Sequence, residues 1–472
     1  MYINQRPAGS QHLMVNAGDR ICIVGAGPAG IATAHELAER GYRNVTILEK
    51  ADRVGGLCLS EGFEGRGFDL GANYVTSAYK QVRRLARLAG AEMYTEERGA
   101  FFNPENGTWR SIFAEAKGEA SLFGFGWACL RYLYLRWRLE GRLPRTGYAG
   151  ISRHPELCTD FDSWLVANRL TDLRTLCAIP VTLMGYGRLS EIPAPYVLTY
   201  LNLRTFRDLL FYGAGLPRSW PKRFVDGFQR LFERLAWRLD VRLNAEVIQV
   251  ERRHDGVTVH VDFAGDEQWR NKPRKAALQF DWLVLCCPLQ SISKWLELTP
   301  EEQGLIERIM TNPFATTTRI ACDPQLPTRV INVTSEVDVS PPEAGPLPPS
   351  IVTQQFADTP LVTFYTPLPP GLASAPLGPP GQEDAVAAGV NRLAAALNLD
   401  VNEDGAVFSD NCWPYFPHVS AADIAAGWYD RIEALQGSNR TYYNGGIMCF
   451  ELIEPIIEYS RALAGRMTGP GR

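Results

Sequence analysis

The sequence predicts an α/β protein with a parallel dinucleotide-binding sheet, interrupted by a helical insert and by a mixed-sheet insert. Three observations carry this. A short apolar run, Ile21–Val24, passes straight into Gly25-Ala26-Gly27-Pro28-Ala29-Gly30 and then into a strong helix former, residues 31–40. A second apolar run, Val45–Leu48, ends on an acid, Glu49, nineteen residues beyond Gly30. At 472 residues the chain is long enough for two or three structural units.

Each part of the opening has a mechanical reason. The apolar run reads as a strand buried on both faces. Gly25 permits the tight turn, Gly27 lets main chain approach a pyrophosphate, and Gly30 lets helix and strand pack closely. Amides from Pro28-Ala29-Gly30 onward and the helix dipole then face the phosphates, although Pro28 itself has no N–H. Glu49 is placed to accept hydrogen bonds from ribose hydroxyls, with Lys50 beside it. The whole reads as a Rossmann-like unit. His35, inside the helix, reads as a tolerated helical residue.

Composition narrows the function classes. Net charge is −4 and the basic residues are scattered, so nucleic acid is not an expected partner. The ten cysteines form no metal-type CxxC pair, so no metal site is expected, and a reducing cytoplasm with buried thiols is. Residues 1–19 are polar at their start and read as a flexible tail, not a signal peptide. No run approaches the roughly 18 apolar residues of a membrane span. Between Leu122 and Leu143, aromatic residues mix with Arg131, Arg136, Arg138 and Arg142. Such a helix is a candidate for peripheral membrane contact. The plainer expectation is an amphipathic helix with its arginines on the wet face.

Further glycines follow the acid. Lys50-Ala51-Asp52-Arg53-Val54-Gly55-Gly56-Leu57 supplies a second pair, and Gly71-Ala72-Asn73 lies beyond it. A cofactor with a ribityl chain and an isoalloxazine ring needs these extra places of close approach; NAD does not. Here the sequence resembles the flavin amine oxidase-like superfamily, with its glutathione reductase-type fold, and the resemblance implies FAD as cofactor. It assigns Arg53, Gly55 and Gly56 to the pyrophosphate and ribitol, and Gly71, Ala72 and Asn73 to the side of the flavin ring. Leu57 stands where the family often has arginine. The strand around Val247 matches the one whose backbone holds the adenine. Residues 281–288 match the strand returning to the sheet, with Cys287 at its end; Cys286 and Cys287 read as packing, not redox groups. Thr441 to Gly445-Gly446 matches the last flavin strand and turn, with Gly446 where the family usually has an acid. The helix from about Glu454 to Leu463, with Ile456 in its first turn, is expected to point its positive end at the flavin's carbonyl edge.

The resemblance divides the chain into an FAD-binding unit at 20–78, 222–293 and 406–464, a helical cap at 79–221, and an α/β substrate unit at 301–403. The proline-rich runs 341–349 and 367–380 read as surface loops. Oligomeric state is not legible.

A narrower resemblance concerns the reaction. Tyr415-Phe416-Pro417-His418, Ala426-Gly427-Trp428-Tyr429, Ile447-Met448-Cys449-Phe450 and the patch Gly185-Tyr186-Gly187 with Ile192–Tyr200 are similar to the flavin-dependent polyunsaturated fatty acid double-bond isomerases. That likeness implies hydride removal from an allylic carbon and its return to another carbon of the same apolar, unsaturated substrate. It accounts for the absence of an evident catalytic base. Expected pocket residues are Tyr74, Tyr186, Trp413, Tyr415, Phe416 and Phe450, with Arg98 the candidate for the substrate carboxylate. His418 reads as a structural hydrogen-bonding residue. The alternatives are an amine oxidase, a desaturase and a non-catalytic flavin-binding protein. Many amine oxidases keep a lysine over the ring in the strand matching Thr316–Ala321, and this chain has none there.

Overall fold

The structure, a computed structural model, describes residues 14–263, 274–333, 347–369, 382–401 and 407–469. At its centre is a five-stranded parallel sheet in the order Thr441–Tyr443, Trp282–Leu285, Ile21–Val24, Val45–Leu48, Asp240–Arg242. All residues of the first four are buried, as continuous apolar runs require in a sheet covered on both faces. The register places Val24 opposite both Leu48 and Leu285, and Leu285 opposite Tyr443. Gly25, Glu49, Cys286 and Asn444, each one residue further on, therefore emerge together at the carboxyl edge, where open α/β sheets bind ligands. A three-stranded antiparallel sheet, Glu246–Arg253, Gly256–Asp262 and Lys275–Phe280, lies nearby, with Val257, Val259 and Val261 buried on one face.

A seven-stranded sheet runs Val407–His418, Met310–Ile320, Leu361–Pro367, Ile351–Thr353, Val330–Val333, Ala100–Asn103, Thr108–Ser111. Three of these strands lie outside 301–403, the span expected to build it. Ala100–Asn103 pairs parallel to Val330–Val333 and brings Thr108–Ser111 as a hairpin, although both fall in the stretch expected to be a helical cap. Phe101 and Phe102 are almost wholly buried there, so a short aromatic strand gains its core only from a partner over two hundred residues away. Val407–His418, expected in the FAD-binding unit, is instead the antiparallel partner of Met310–Ile320. The helix Gln382–Ala396 covers this sheet with Val386, Val390, Leu393 and Ala394, the spacing of one helical face. The proline-rich runs lie largely outside the described residues.

The helix Leu122–Arg138 differs from the plainer expectation. Arg136 is buried and Arg131 half-buried, while Phe123, Trp127, Leu130, Tyr134 and Trp137 face solvent. Its inward face is fixed by Tyr132, which stacks on Phe206 at 4.1 Å and donates to the Leu201 carbonyl at 2.7 Å. Both faces of the helix are apolar, so the choice was made by that contact.

Asn444 joins three elements at the sheet's edge. Its Nδ2 donates to Thr33 Oγ1 on the glycine-turn helix Pro28–Glu39 at 2.8 Å and to Ser460 Oγ on the last helix, Ile453–Thr468, at 2.9 Å. Its Oδ1 accepts from the Gly445 amide at 2.7 Å. All of Asn444 is buried, so Asn444→Ala leaves several polar groups without partners and is expected to cost about 2–4 kcal/mol. Thermal or urea unfolding measures it.

Candidate flavin and substrate site

The phosphate turn is built from contacts that admit no side chain. A Cβ on Gly30 would sit 1.9 Å from the Gly25 carbonyl oxygen. Gly25 itself has φ +104°, and a Cβ there would lie 2.9 Å from the Cys286 oxygen. Gly56, at φ +53°, faces Gly27: a Cβ on it would be 3.1 Å from the Gly27 Cα. The two glycine turns are tied by the Gly55 amide, which donates to Ala26 O at 2.9 Å. No side chain caps the helix Pro28–Glu39, which leaves its first-turn amides to an anion.

Glu49, directly after the second strand, is held by main-chain amides. Its Oε2 accepts from the Ala26 amide at 2.8 Å and its Oε1 from the Ala51 amide at 2.9 Å. Lys50 is exposed beside it. Arg53 lies along the second glycine turn, donating to the Gly56 carbonyl at 3.0 Å. Leu57 sends its carbonyl to the Ala72 amide at 3.0 Å and leaves no room for a Cβ on Gly71, 1.9 Å away. Asn73 Nδ2 donates to Tyr365 Oη at 2.9 Å. Val247 and Ile456 are buried. Burial pushes the Cys287 thiol up to about 12, and Cys286 rises too, so neither supplies a thiolate.

At the other end, Gly445 has φ +124° and open space where a Cβ would stand. Beside it the Glu451 side chain fills the space over Gly446, its carboxyl carbon 3.0 Å from the position of a Cβ. Although Glu451 is only half-buried as a residue, its Oε2 is closed to solvent and has no hydrogen-bond partner among the described residues. Burial raises its pKa to about 8, opposed by the Phe416 amide. Sequence reasoning missed this residue. The signal was there: Gly446 stands where the family usually has an acid, and the next acid in the chain is Glu451. The close main-chain turns, the uncapped helix start and the orphaned carboxyl oxygen together fit a flavin dinucleotide.

Four of the expected pocket aromatics meet in one cluster. Tyr186 packs on Tyr415 at 5.1 Å, on Phe416 at 5.2 Å and on Phe450 at 4.9 Å. Phe416 and Phe450 have φ of +50° and +108°, backbone strain that these packed neighbours hold in place. Trp413 lies two residues along the strand from Tyr415, its Nε1 donating to Thr316 Oγ1 at 3.4 Å. Phe314 and Tyr365, absent from the sequence expectations, extend the cluster: Phe314 is 5.7 Å from Tyr415 and 6.2 Å from Tyr365. Tyr74 is engaged elsewhere, accepting from Arg223 at 3.0 Å with the guanidinium 4.5 Å over its ring. Arg223 is fully buried in an ion pair with Glu96. Arg98 donates to the Gly213 carbonyl. His418 Nδ1 lies 2.8 Å from the Phe416 carbonyl, which only accepts, so Nδ1 carries the proton; burial lowers its pKa and keeps the ring neutral.

The chain matches the model of the flavin containing amine oxidoreductase family over residues 28–320. It is 36% identical over 108 residues to polyamine oxidase 1 of Oryza sativa subsp. japonica, which is 22% of this chain and 21% of that one. It is 26% identical over 256 residues to the L-amino-acid oxidase of Demansia vestigiata, 51% and 46% of the two chains. The matched stretches thus span about a fifth and just under half of these relatives. Among solved structures, the CLA-producing fatty acid isomerase from P. acnes superposes with a TM-score of 0.80 at 25% identity, over 96% of this chain and 99% of that one. Cyclohexylamine oxidase from Brevibacterium oxydans IH-35A gives 0.64 at 17% identity, over 95% and 98%, a likeness of fold.

The buried acid sets a pH dependence. Between the ordinary glutamate range and about 8, the folded state keeps a proton on Glu451 that the unfolded chain has lost, so stability falls as pH rises through that window. One such group contributes at most about 1.4 kcal/mol per pH unit. Glu451→Gln is expected to flatten the fall between pH 5 and 8, read as melting temperature of the FAD-loaded protein beside wild type.

Proposed function

This chain belongs to the flavin containing amine oxidoreductase family, with FAD as cofactor, and on that premise we propose that it is a carbon–carbon double-bond isomerase of a polyunsaturated fatty acid or related polyene. The observation that carries the proposal is a neutral, aromatic site next to the flavin turns: Tyr415, Phe416 and Phe450 packed around Tyr186, with Phe416 also on Phe450. The full-length likeness to a fatty acid isomerase supports it.

When bound, FAD supplies a hydride acceptor that can also return the hydride, so a double bond shifts without net oxidation. The protein's residues do the rest. The clustered rings hold an acyl chain, exclude water, and offer π-faces to the positive charge of an allylic carbon that has lost hydride. Burial raises the pKa of Tyr186 and Tyr415, so both remain neutral phenols. His418, stacked at 4.7 Å on Phe416 and bonded to its carbonyl, positions that ring and does not act as a base. Glu451, held protonated below about pH 8, keeps a negative charge out of the site at neutral pH. The strand Met310–Ile320 presents Thr316, Thr317 and Thr318 where many amine oxidases carry a lysine, which disfavours the oxidase reading.

For the substrate carboxylate, Arg98 is the better of two arginines. Arg223 is already neutralised by Glu96, whereas the bond described for Arg98 goes to an uncharged carbonyl. Losing one charge-assisted contact costs about 1.5–3 kcal/mol. Arg98→Ala is therefore expected to raise KM roughly 10- to 100-fold with a smaller change in kcat, in steady-state assays on a free fatty acid.

The reaction itself is tested anaerobically. Incubated with polyunsaturated fatty acids, the yellow protein is expected to yield positional or geometric isomers while its flavin absorbance persists. Bleaching that recovers only on admitting oxygen, with peroxide released, assigns an oxidase instead.

A further inference from the structure

We propose that the outer face of the helix Leu122–Arg138 docks the protein in the plane of an anionic lipid bilayer. Phe123, Trp127, Leu130, Tyr134 and Trp137 are spaced four, three, four and three residues apart, which places them on one stripe. Their exposures are 84%, 61%, 63%, 54% and 64%, so every member of the stripe is more than half exposed. The opposite face is already occupied: Phe125, Ala128, Cys129 and Tyr132 are buried against the rest of the insert. Among the described residues, no core remains for the outer stripe to join.

Its chemistry selects the partner. The helix carries no acidic residue, and of its arginines Arg138 is exposed and Arg131 half-buried, within a chain of net charge −4. The Arg138 guanidinium lies 5.9 Å over the Tyr134 ring, at the stripe itself. Beyond the helix, Arg142 and Arg145 are exposed. Of the acids beside the helix, Glu140 pairs with Arg136 at 2.9 Å and Glu156 with Arg142 at 3.0 Å, while Asp172 sits at the opposite, N-terminal end by Gly124. Tryptophan and tyrosine settle at headgroup depth, phenylalanine and leucine reach the acyl boundary, and arginines snorkel to phosphates. Among the described residues no helix is long and apolar enough to cross a membrane, so the contact is in-plane.

A second copy of the chain fits less well. Stripe against stripe, Arg138 at the stripe's edge finds no acid on the helix of the other copy. A 17-residue helix is about 25 Å long and about 10 Å wide. It offers roughly 250 Å² of contact, well below the roughly 800 Å² per partner of a stable dimer.

The inference stands apart from the substrate assignment, because vesicle binding is read without turnover. The FAD-loaded protein is mixed with sucrose-loaded vesicles of phosphatidylcholine and phosphatidylglycerol, or of phosphatidylcholine alone, and sedimented. Wild type is expected to pellet with the anionic vesicles and to release at high salt. The triple variant Phe123→Ser, Trp127→Ser, Leu130→Ser is expected to lose at least about 30-fold in partition, with flavin content and melting temperature unchanged since all three side chains are exposed. In a milder check, brominated acyl chains quench a component of tryptophan fluorescence that Trp127→Phe removes while still binding vesicles. No pelleting of wild type, or equal pelleting of the triple variant, overturns the proposal. So does an analytical-ultracentrifuge dimer that the triple variant dissolves, which assigns the face to a second copy.

Discussion

The structure depends on main chain meeting main chain at the carboxyl edge of the parallel sheet. Gly30 has the Gly25 carbonyl where a Cβ would be, Gly56 stands against Gly27, and Gly71 against Leu57. These approaches bring three separate turns to one line without side chains between them. Register delivers them there: because Val24, Leu48, Leu285 and Tyr443 are level, the next residue of each strand arrives at the same height. Asn444 then locks the edge from below through Thr33 and Ser460. A ligand built around a pyrophosphate finds amides, an acid and open backbone in a row, and each of those is a property of the fold before it is a property of the site.

Charge is handled in two ways around that edge. Where it is kept, it is matched: Arg223 and Glu96 are both sealed from solvent and face each other, so removing Glu96 alone leaves a buried guanidinium without its counter-charge. Beside the flavin turn it is suppressed instead. The Oε2 of Glu451 is closed to solvent and has no partner among the described residues, and burial keeps the carboxyl protonated at neutral pH. In the proposed isomerisation, transient positive charge on an apolar chain gains from π-faces nearby. A fixed carboxylate there would hold that charge too tightly once formed, deepening the cationic state and slowing the return of the hydride.

The legible parts of the sequence were those whose physics is local. The glycine turn, its helix and the acid at the second strand's tip each answer to neighbours within about thirty residues, and the α/β class followed from them. The strand Ala100–Asn103 was illegible because a four-residue aromatic run has no period of its own and becomes a strand only beside Val330–Val333. Phe314 and Tyr365 were missed for the same reason. Their place beside Tyr415 is set by antiparallel register, Phe314 opposite Trp413 and Thr316 opposite Tyr365, between segments fifty and a hundred residues apart. Tyr74 was readable as aromatic and near the flavin, but its partner Arg223 lies 149 residues away.

The helix Leu122–Arg138 shows a different limit. Period alone separates an apolar face from a polar one, and this helix has apolar residues on both. The arginines suggested the wet side, yet the inward choice went to the face with Tyr132, whose hydroxyl finds a carbonyl and whose ring finds Phe206. Arg136 went inward with it because its Nε reaches the Leu198 carbonyl at 3.1 Å and its charge meets Glu140 at the rim. The outer face would have been equally able to bury area, but area is non-directional and hydrogen bonds are not. Directional partners decided which stripe became core, and the aromatic stripe left outside is the consequence.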